Sequence, residues 1–258
     1  MRYSANLNII IKAIEKASNH ISRDFVELEN LQSNPASSAK FTSSCYNRIK
    51  QILIEDFTKF RSEFNIVFSD GQKITNSENS EYTLMIHAID GIENLLRASQ
   101  DFVISIALIY KKNGKEDVVC VAISKIIGGE LFYSEKGFGA YLNNRRIRVS
   151  KRQKNHKGQY LVACEDFNYL NKLHLNQSKQ PNDNVSHSKD DSVDNKELLR
   201  ILPRNIGCKT LEIGYFSCAR LEQVIHIKSS WYEPFLLIAK EAGGRVSEDG
   251  ENYIISNF

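Results

Sequence analysis

The segment FVISIALIY at residues 102–110, which is apolar nearly throughout, limits the possible folds more than any other feature of the sequence. It predicts a strand that is buried on both faces, because a strand with one face in water alternates apolar and polar side chains. Such a strand needs a packed layer on each side. At 258 residues, against a prior of roughly 150 per domain, the chain can form one large domain or two fused subdomains.

The residues before this strand show the periodicity of helices. Apolar side chains recur at steps of three and four through the first thirty residues, which predicts one face of a long helix. A second helix follows, with Thr42 or Ser43 as its cap and with Lys50 on its solvent side. The predicted buried residues are Leu7, Ile10, Ile14, Ala17, Ile21, Phe25 and Leu28 in the first helix and Ile49, Leu53, Phe57 and Phe60 in the second.

After the second helix, short apolar segments predict strands. Residues 64–68 form one strand, which ends in a polar turn at 69–71. A sheet then runs from residue 82 to residue 149, with a hairpin turn at 141–145. From residue 160 onward strands and helices alternate, an order typical of a layered α/β unit.

This order of elements predicts how the chain divides. We expect an N-terminal α+β subdomain at residues 1–150, with two long helices and an antiparallel sheet. A C-terminal α/β subdomain at residues 151–258 completes what we expect to be one domain overall. Residues 171–196 contain scarcely an apolar side chain and are predicted to be an exposed insertion.

Net charge and cysteine content exclude several classes of protein. The 34 Lys and Arg against 31 Asp and Glu give a net charge of +3, which argues against a protein held on nucleic acid mainly by phosphate contacts. The five cysteines include no CxxC pair, so neither a disulfide framework nor a zinc knuckle is expected. No apolar run reaches the roughly 18 residues of a membrane span, and no signal-peptide core is present. We therefore expect a cytoplasmic protein with no membrane partner.

The stretch IHAIDGIEN at residues 86–94 is the strongest candidate for chemistry. It predicts a strand that ends near Asp90, which places a carboxylate at a sheet edge. Gly91 leaves the backbone open to approach by an anionic group. Taken alone, an Asp before a Gly is more often a turn residue, so the tripeptide needs support from the rest of the chain.

Such support comes from five segments in a characteristic order. They are RDFVELENLQ at 23–32, the Ile-Asp-Gly segment with DFVISIAL at 101–108, ELFYSEKGFGAYLNNRRIRVS at 130–150, IGCKTLEIGYFSCARLE at 206–222 and EAGG at 241–244. Through most of its length the chain thereby resembles the inositol monophosphatase family, and within it the bacterial SuhB-type proteins. The resemblance implies an α/β (α+β) fold, the layered αβαβα sandwich of inositol monophosphatases, which agrees with the helix and strand order above.

The resemblance also implies an activity and partners. Members of the family hydrolyse phosphomonoesters, typically inositol phosphates, with two or three Mg²⁺ ions held by carboxylates. It therefore implies Mg²⁺ as cofactor and a phosphorylated polyol as substrate. Homodimers are the habit of the family, and SuhB-type proteins associate with transcription components independently of phosphatase activity. Both a homodimer and a partner in the transcription machinery are accordingly expected.

Matched position by position, the chain keeps few of the family's acidic residues. The family motif Asp-Pro-Ile-Asp-Gly-Thr falls on residues 87–92, where the second acid, Asp90, and the carbonyl of Ile89 are retained. His87 stands in place of the first acid. Ile92 replaces the water-orienting Thr.

Two further acidic motifs are also altered. The family's Glu-Glu motif falls on Ser69 and Asp70, which leaves a shorter carboxylate, and an upstream Asp falls on Tyr46. Asp70 beside a Gly is also typical of a turn residue.

The C-terminal half departs from the family as well. The family's Trp-Asp pair, counted back from EAGG without a gap, falls on Ser230 and Trp231, whereas a local deletion brings Glu233 near the site. At two positions that help to hold inositol, Lys209 replaces a small residue and His226 stands where the family has a Glu.

The retained residues define a candidate site. Asp90 is the candidate catalytic residue; the candidate metal ligands are Asp90, the carbonyl of Ile89, Asp70 and His87; and the candidate substrate-binding residues are Gly91, Ile92, Lys209 and His226. A histidine suits Zn²⁺ or Mn²⁺ better than Mg²⁺, and at the end of an apolar strand it is also typical of a hydrogen-bonded structural residue. Without its partners, Asp90 is equally suited to a turn or a helix N-cap.

Outside this site, one stretch of basic residues stands out. It can meet RNA or an acidic protein partner, although such a run more often forms a solvated surface, and no aromatic stacking platform supports RNA binding. The residues are Arg145, Arg146, Arg148, Lys151, Arg152, Lys154 and Lys157.

Two hypotheses follow from the altered positions. In the first, the chain keeps the fold of the family, has lost most metal ligands, binds no metal and acts through protein interactions. In the second, it is a metal-dependent phosphatase acting on myo-inositol 1-phosphate or a related phosphomonoester, with Asp90, Asp70, the Ile89 carbonyl and either His87 or Glu233 as ligands.

Overall fold

The structure is a computed structural model and describes residues 4–19, 21–152, 159–170 and 200–257. Helices α1 to α6 span Ala5–Ser18, Ile21–Asn30, Pro35–Phe60, Ile92–Leu96, Lys209–Ser217 and Leu236–Glu241, and a 3-10 turn at Glu233–Phe235 precedes α6. Strands β1 to β8 span Asn65–Phe68, Lys73–Ile74, Tyr82–Asp90, Val103–Lys112, Lys115–Lys125, Glu130–Glu135, Gly139–Leu142 and Arg145–Ile147. Strands β9 to β13 span Gln159–Cys164, Arg200–Arg204, Gln223–Ile227, Arg245–Asp249 and Asn252–Ser256.

Within the described ranges the strands form two sheets. The first has eight strands in the order β2-β1-β3-β4-β5-β6-β7-β8, antiparallel except for the parallel pair β1 and β3. The second has five strands in the order β10-β9-β11-β13-β12, of which β10, β9 and β11 run parallel. The sheets are therefore mixed, with helices between and beside them.

Strand β4 shows how the layers are arranged. Its residues 103–108 are all buried. Ile104 and Ile106 face one apolar core, which the sheet shares with helices α1, α2 and α3. Val103 and Ala107 face a second core, which contains side chains of α5, α6 and the second sheet. The continuous apolar pattern of this segment thus corresponds to a strand covered on both faces, and the layered α+β fold predicted from the sequence is confirmed.

The helices before the first sheet differ from the prediction in their ends. The predicted single long helix is two helices, because α1 ends at Ser18 and α2 begins at Ile21. Helix α3 begins at Pro35 rather than near Thr42, with the side chain of Asn34 accepting a hydrogen bond from the Ser37 amide as its N-cap.

The predicted buried stripe of α3 is right in most positions. Ile49, Leu53 and Phe57 are buried, but Phe60, in the last turn, is 53% exposed. Lys50, predicted to face solvent, is instead 8% exposed. Its neighbours explain this burial and are described with the candidate site.

The second half of the chain alternates strands and helices as predicted, with β10 as an additional strand. The predicted insertion at 171–196 lies outside the described residues, as do Lys154 and Lys157. Among the helices that the structure describes, none combines the length and the apolar character that a membrane crossing requires.

Candidate functional site

The candidate site lies where two parallel strands end side by side. β1 pairs with β3 in parallel, and the amide of Ser69, just after β1, donates to the Ile86 carbonyl at 3.0 Å. Because parallel strands end at the same sheet edge, Asp70 and the motif at 87–92 lie along one edge of the first sheet. Asp90 is the last residue of β3, and Ile92 begins α4.

Gly91, between β3 and α4, is held in a conformation that only glycine adopts easily. Its φ is +81°, and a Cβ there would lie 2.8 Å from the carbonyl oxygen of Asp101 and 3.1 Å from the Cβ of Cys208. On this side of Gly91 the space is filled by the protein's own backbone and by a buried cysteine. The close approach that the glycine permits is therefore used within the fold.

Asp90 is buried, and both of its carboxylate oxygens have protein partners. Oδ2 accepts hydrogen bonds from the amide of Thr210 at 2.8 Å and from its hydroxyl at 2.7 Å, and Oδ1 accepts one from the Tyr232 hydroxyl at 3.4 Å. Thr210 lies in the first turn of α5, whose N-cap residue, Cys208, supplies no side-chain cap. Asp90 thus caps a helix distant in the sequence, where the free amides favour a negative charge.

Tyr232 covers Asp90 and His87 together. Burial, and next the charge of Asp90, raise the pKa of Tyr232 well above its usual value, so the phenol stays protonated and donates. Its ring stacks on His87 with centroids 4.9 Å apart and planes at 20°. The ammonium of Lys209 lies 5.0 Å from the centre of the same ring and pairs with Glu165 at 3.1 Å.

His87 is 3% exposed and sits among aromatic rings. Its Nε2 lies 3.1 Å from the backbone carbonyl of Trp231. Since a carbonyl can only accept, Nε2 carries the proton and donates. Phe235 packs against the ring at 5.6 Å and Trp231 at 6.1 Å. This environment matches the structural alternative for His87, a hydrogen-bonded residue at the end of an apolar strand.

Asp70 forms an ion pair with the buried ammonium of Lys50. The Tyr46 hydroxyl donates to the same carboxylate at 3.0 Å, and the Gln72 amide does so at 3.0 Å. Burial acts to raise the pKa of Asp70, but the hydrogen bonds from Lys50, Gln72 and Tyr46 outweigh it, and the pKa lies below its usual value. Lys50 also lies 4.8 Å from the centre of the Phe68 ring, so its charge has a carboxylate and an aromatic face as partners.

The two altered substrate positions also have internal partners. His226 is 3% exposed, and its Nε2 donates to Glu212 at 2.5 Å. Glu212, 1% exposed, also accepts from the Ile206 amide at 2.8 Å. Lys209 pairs with Glu165 as described.

Ile92, the remaining altered position of the motif, is 37% exposed and borders a pocket of about 340 Å³ between α3 and α4.

The 3-10 turn before α6 decides whether Glu233 or its neighbour Tyr232 reaches Asp90. Glu233 begins this turn, and the preceding residue, Tyr232, makes the contact. Glu233 is instead associated with Tyr253, whose pKa is raised first by burial and then by the charge of Glu233. The group beside Asp90 and His87 is therefore the phenol of Tyr232 and not the carboxylate of Glu233.

The donor set does not fit a magnesium ion. Mg²⁺ requires a near-octahedral set of oxygens at roughly 2.0–2.1 Å. Asp90 is engaged on both oxygens, Asp70 faces an ammonium, and His87 presents an N–H to a carbonyl. In the ranges that the structure describes, no three or more His, Cys, Asp and Glu side chains are grouped so as to hold a metal ion.

Four residues of this arrangement were not among the candidates from the sequence. They are Thr210, Tyr232 as a partner of Asp90, Lys50 and Glu212. Thr210 and Glu212 lie in the segment IGCKTLEIGYFSCARLE, so the resemblance marked the region but not the contacts. For Lys50 the sequence prediction was wrong, because a lysine on an amphipathic helix predicts a position exposed to solvent.

The fold places this protein in the class of layered α+β sandwiches with two mixed sheets. The model of the family described as "Inositol monophosphatase family" matches residues 3–253, so the chain belongs to the inositol monophosphatase family. The suhB extragenic suppressor protein of Bartonella henselae has a similar fold, with a TM-score of 0.73 at 23% identity, covering 98% of this chain and 94% of that one.

Relatives under two names are similar to the chain. The inositol-1-monophosphatase of Mesorhizobium japonicum is 27% identical over 100% of this chain and 91% of its own length. That of Rhizobium meliloti is 31% identical, but the match spans 59% of this chain and 56% of that protein. The Nus factor SuhB of Vibrio cholerae is 28% identical over 97% of this chain and 88% of its own length.

Proposed function

We propose that this protein is a member of the inositol monophosphatase family that acts through protein contacts and does not hydrolyse phosphomonoesters. The observation that carries the proposal is the pairing of Asp90. A carboxylate that serves as the cap of α5 has both oxygens occupied, by Thr210 on one and Tyr232 on the other. A metal ligand needs at least one oxygen turned toward the cation.

The energy of this pairing supports the proposal. A hydrogen bond to a charged group contributes about 1.5 to 3 kcal/mol, so Asp90 would give up several kcal/mol by turning from Thr210 toward a cation. A cation bound by Oδ2 would also leave the amide and hydroxyl of Thr210 buried without a partner, and the metal ion would have to offset both losses. A cation bound by Oδ1 would have to displace the Tyr232 hydroxyl, which lies 3.4 Å away.

Lys50 opposes a cation at the second candidate position. Its ammonium contacts Asp70, so a metal ion bound by that carboxylate would lie close to a fixed positive charge. Two unit charges about 4 Å apart interact by roughly 4 kcal/mol at an effective dielectric constant of about 20, and a divalent ion doubles this repulsion. An internal cation already neutralises Asp70, which favours a fold that is stable without a metal.

The pocket beside the site supports the same proposal. None of the residues that line it is basic, and one, Glu93, is acidic; the others are Ala39, Thr42, Ser43, Tyr46, Ile92 and Leu96. A phosphorylated polyol carries a dianion and many hydroxyls, and its recognition requires cations and convergent polar groups. Lys209, the basic candidate for substrate binding, is paired with Glu165.

For the partner, we propose a component of the transcription machinery. The support is the set of relatives named Nus factor SuhB, which match nearly the whole chain. The proposal includes the cytoplasm as the compartment and a homodimer as the assembly expected of the family.

The second candidate function is a metal-dependent phosphatase. It is favoured by the relatives named inositol-1-monophosphatase, one of which matches 100% of this chain. In this case Mg²⁺ or a softer ion would have to displace the hydrogen bonds of Asp90, with Asp70, the Ile89 carbonyl and His87 or Glu233 completing the site.

An activity assay separates the two functions. Purified protein is incubated with inositol 1-phosphate or p-nitrophenyl phosphate and with Mg²⁺, Mn²⁺ or Zn²⁺ in turn, beside the variants Asp90→Asn and Asp117→Asn. Asp117 is an exposed acid on β5 outside the candidate site, and its variant controls for the loss of a carboxylate as such. Turnover that is equal in all three preparations would report a contaminating phosphatase. We expect all three proteins to show the same background with every metal. Metal-dependent turnover that persists in Asp117→Asn and disappears in Asp90→Asn would establish the phosphatase instead.

A further inference from the structure

A groove of about 690 Å³ lies on the surface beyond the last strand of the first sheet. One wall is the segment 148–152, which follows β8, and the other is formed by residues 242–243, just after α6. We call it the basic groove, because Arg148, Lys151 and Arg152 line it.

Two of these three side chains have no ionic partner in the part of the chain that the structure describes. Arg148 and Lys151 are exposed and form no ion pair with any residue that the structure describes. Arg152 differs, because its guanidinium donates at 2.8 Å to Glu222, which is fully buried. That bond fixes the direction of Arg152, while the other two remain available to an external anion.

The backbone that carries these side chains is held from both sides. The amide of Val149 donates to the Ala242 carbonyl at 3.1 Å. The side-chain amide of Asn257 donates to the carbonyls of Ser150 and Arg152, each at 2.7 Å. A segment fixed in this way loses little conformational entropy on binding a partner, which favours recognition over a merely solvated loop.

An exposed aromatic residue lies next to the end of α6. Phe138, in the turn between β6 and β7, is 68% exposed. Glu241, the last residue of α6, accepts hydrogen bonds from the amides of Gly137 at 2.7 Å and Gly139 at 2.8 Å. The turn that carries Phe138 is thereby tied to the residue immediately before the groove wall. Both oxygens of Glu241 are used, so this acid does not neutralise the groove.

Protection of a sheet edge accounts for only part of the basic surface. β8 is an edge strand, and exposed charges such as Arg145 and Arg146 keep an edge from pairing with another chain. Arg148 and Lys151 lie after the end of β8, where no ladder remains to protect. Their position on a groove wall needs another explanation.

We propose that the basic groove docks an acidic segment of a partner protein, whose carboxylates pair with Arg148 and Lys151 and whose apolar side chain packs on Phe138. Charge complementarity selects the occupant, because Arg148 and Lys151 line the groove on either side of Val149 and neither has an ionic partner among the described residues. The net charge of +3 and a groove lining that contains no aromatic residue to stack bases fit a peptide better than a nucleic acid. This inference rests on the proposed function and names the surface and the chemistry of its partner.

The test uses a fluorescein-labelled peptide of about a dozen residues, rich in Glu and Asp with a central Leu, and measures fluorescence anisotropy with the full chain. We compare Arg148→Glu/Lys151→Glu with Lys73→Glu/Lys115→Glu, a control pair of exposed lysines on β2 and β5 with the same change in net charge. We expect the groove pair to weaken binding by about tenfold or more and the control pair by less than about twofold. Phe138→Ser should weaken it by about threefold to tenfold.

Each alternative result has a defined meaning. Absence of binding by the unaltered protein, or equal weakening by the groove pair and the control pair, would overturn the proposal. So would tight binding of a single-stranded RNA of similar length that the peptide fails to displace. If the charge reversals disturb folding by circular dichroism, Arg148→Gln/Lys151→Gln replaces them with the same expected direction.

The outcome is independent of the phosphatase assay. Loss of peptide binding in the groove pair together with metal-dependent turnover would retain the docking surface and reject the non-catalytic function. Absence of turnover together with no peptide binding would reject the docking surface and retain the non-catalytic function.

Discussion

Two charged regions of this molecule use their side chains in opposite ways. At the sheet edge where β1 and β3 end, Asp70 and Asp90 are each paired with groups of the same chain. In the basic groove, Arg148 and Lys151 have no such partner among the described residues. The first region resembles the interior of a fold, although the family motif lies there. The second has the free charges expected of a binding surface.

The difference indicates where mutation should reduce stability and where it should reduce binding. Buried polar groups with complete hydrogen bonds stabilise a fold, and each becomes expensive when one partner is removed. Exposed charges on a fixed backbone contribute little to stability. Substitutions at the sheet edge should therefore lower the free energy of unfolding, whereas substitutions in the groove should leave it nearly unchanged.

The largest effect is expected at Gly91. Gly91→Ala forces a left-handed conformation on alanine and also places its Cβ 2.8 Å from the Asp101 carbonyl oxygen. Gly71 has a φ of +91°, but a Cβ there would meet nothing within 4 Å. We expect Gly91→Ala to lower the free energy of unfolding in urea by about 3 to 5 kcal/mol and Gly71→Ala by about 1 kcal/mol. Equal losses would show that the backbone next to Gly91 moves aside easily.

Asp90→Ala should have the next largest effect. It leaves the amide and hydroxyl of Thr210 buried without an acceptor, at a loss of about 2 to 4 kcal/mol in urea unfolding. Thr210→Val is the matched variant, because it removes the hydroxyl bond and keeps the amide bond, with a loss of about 1 kcal/mol. A carboxylate retained for metal chemistry behaves differently, since its removal often stabilises the protein. A rise in stability on Asp90→Ala would contradict the capping role.

Much of the fold was predictable because it depends on local patterns. Alternating and continuous apolar segments marked most strands, and the hairpin at Asn143 and Asn144 has the positive φ angles of its turn type, +46° and +66°. The N-terminus of α3 also had a local signal, Asn34 followed by Pro35. β10 did not, because Pro203 argues against a strand, and it is tolerated here only at the edge of the second sheet.

The candidate site was less predictable because its contacts join distant segments. The resemblance located Asp90 and His87, and a helix N-cap was one of the roles open to Asp90. The capped helix, however, begins more than a hundred residues later, and Tyr232 is 142 residues from Asp90 along the chain. Lys50 is a similar case, because only the packing of Tyr46, Phe68 and Asp70 around it makes its burial favourable.

Removal of the buried ammonium of Lys50 should lower the free energy of unfolding by a smaller amount, which depends on pH. Lys50→Met leaves Asp70, whose side chain is 37% exposed, without its ion-pair partner, and about 1 to 2 kcal/mol of stability should be lost at neutral pH. Lys40→Met, at an exposed position of the same helix, is the control and should change stability by less than about 0.5 kcal/mol.

The pH dependence gives an independent readout for the same pair. The folded pKa of Asp70 lies below the ordinary value of 3.8, so its stabilising contribution is complete above 3.8 and is lost as pH falls through the lower, folded value. Melting temperatures measured from about pH 6 down to about pH 2 should therefore converge for the unaltered protein and Lys50→Met. A constant difference at all pH values would mean that Lys50 stabilises the fold by packing rather than by charge.

The smallest effect on stability should come from the groove. Arg148→Ser/Lys151→Ser removes two exposed charges without internal partners, and the free energy of unfolding should change by less than about 0.5 kcal/mol. Arg152→Ser, on the same wall, leaves the buried carboxylate of Glu222 with the Leu161 amide as its remaining hydrogen-bond partner among the described residues, and about 1 to 2 kcal/mol should be lost. If the double variant were as destabilising as Arg152→Ser, Arg148 and Lys151 would belong to the fold, and the contrast between the groove and the sheet edge would fail.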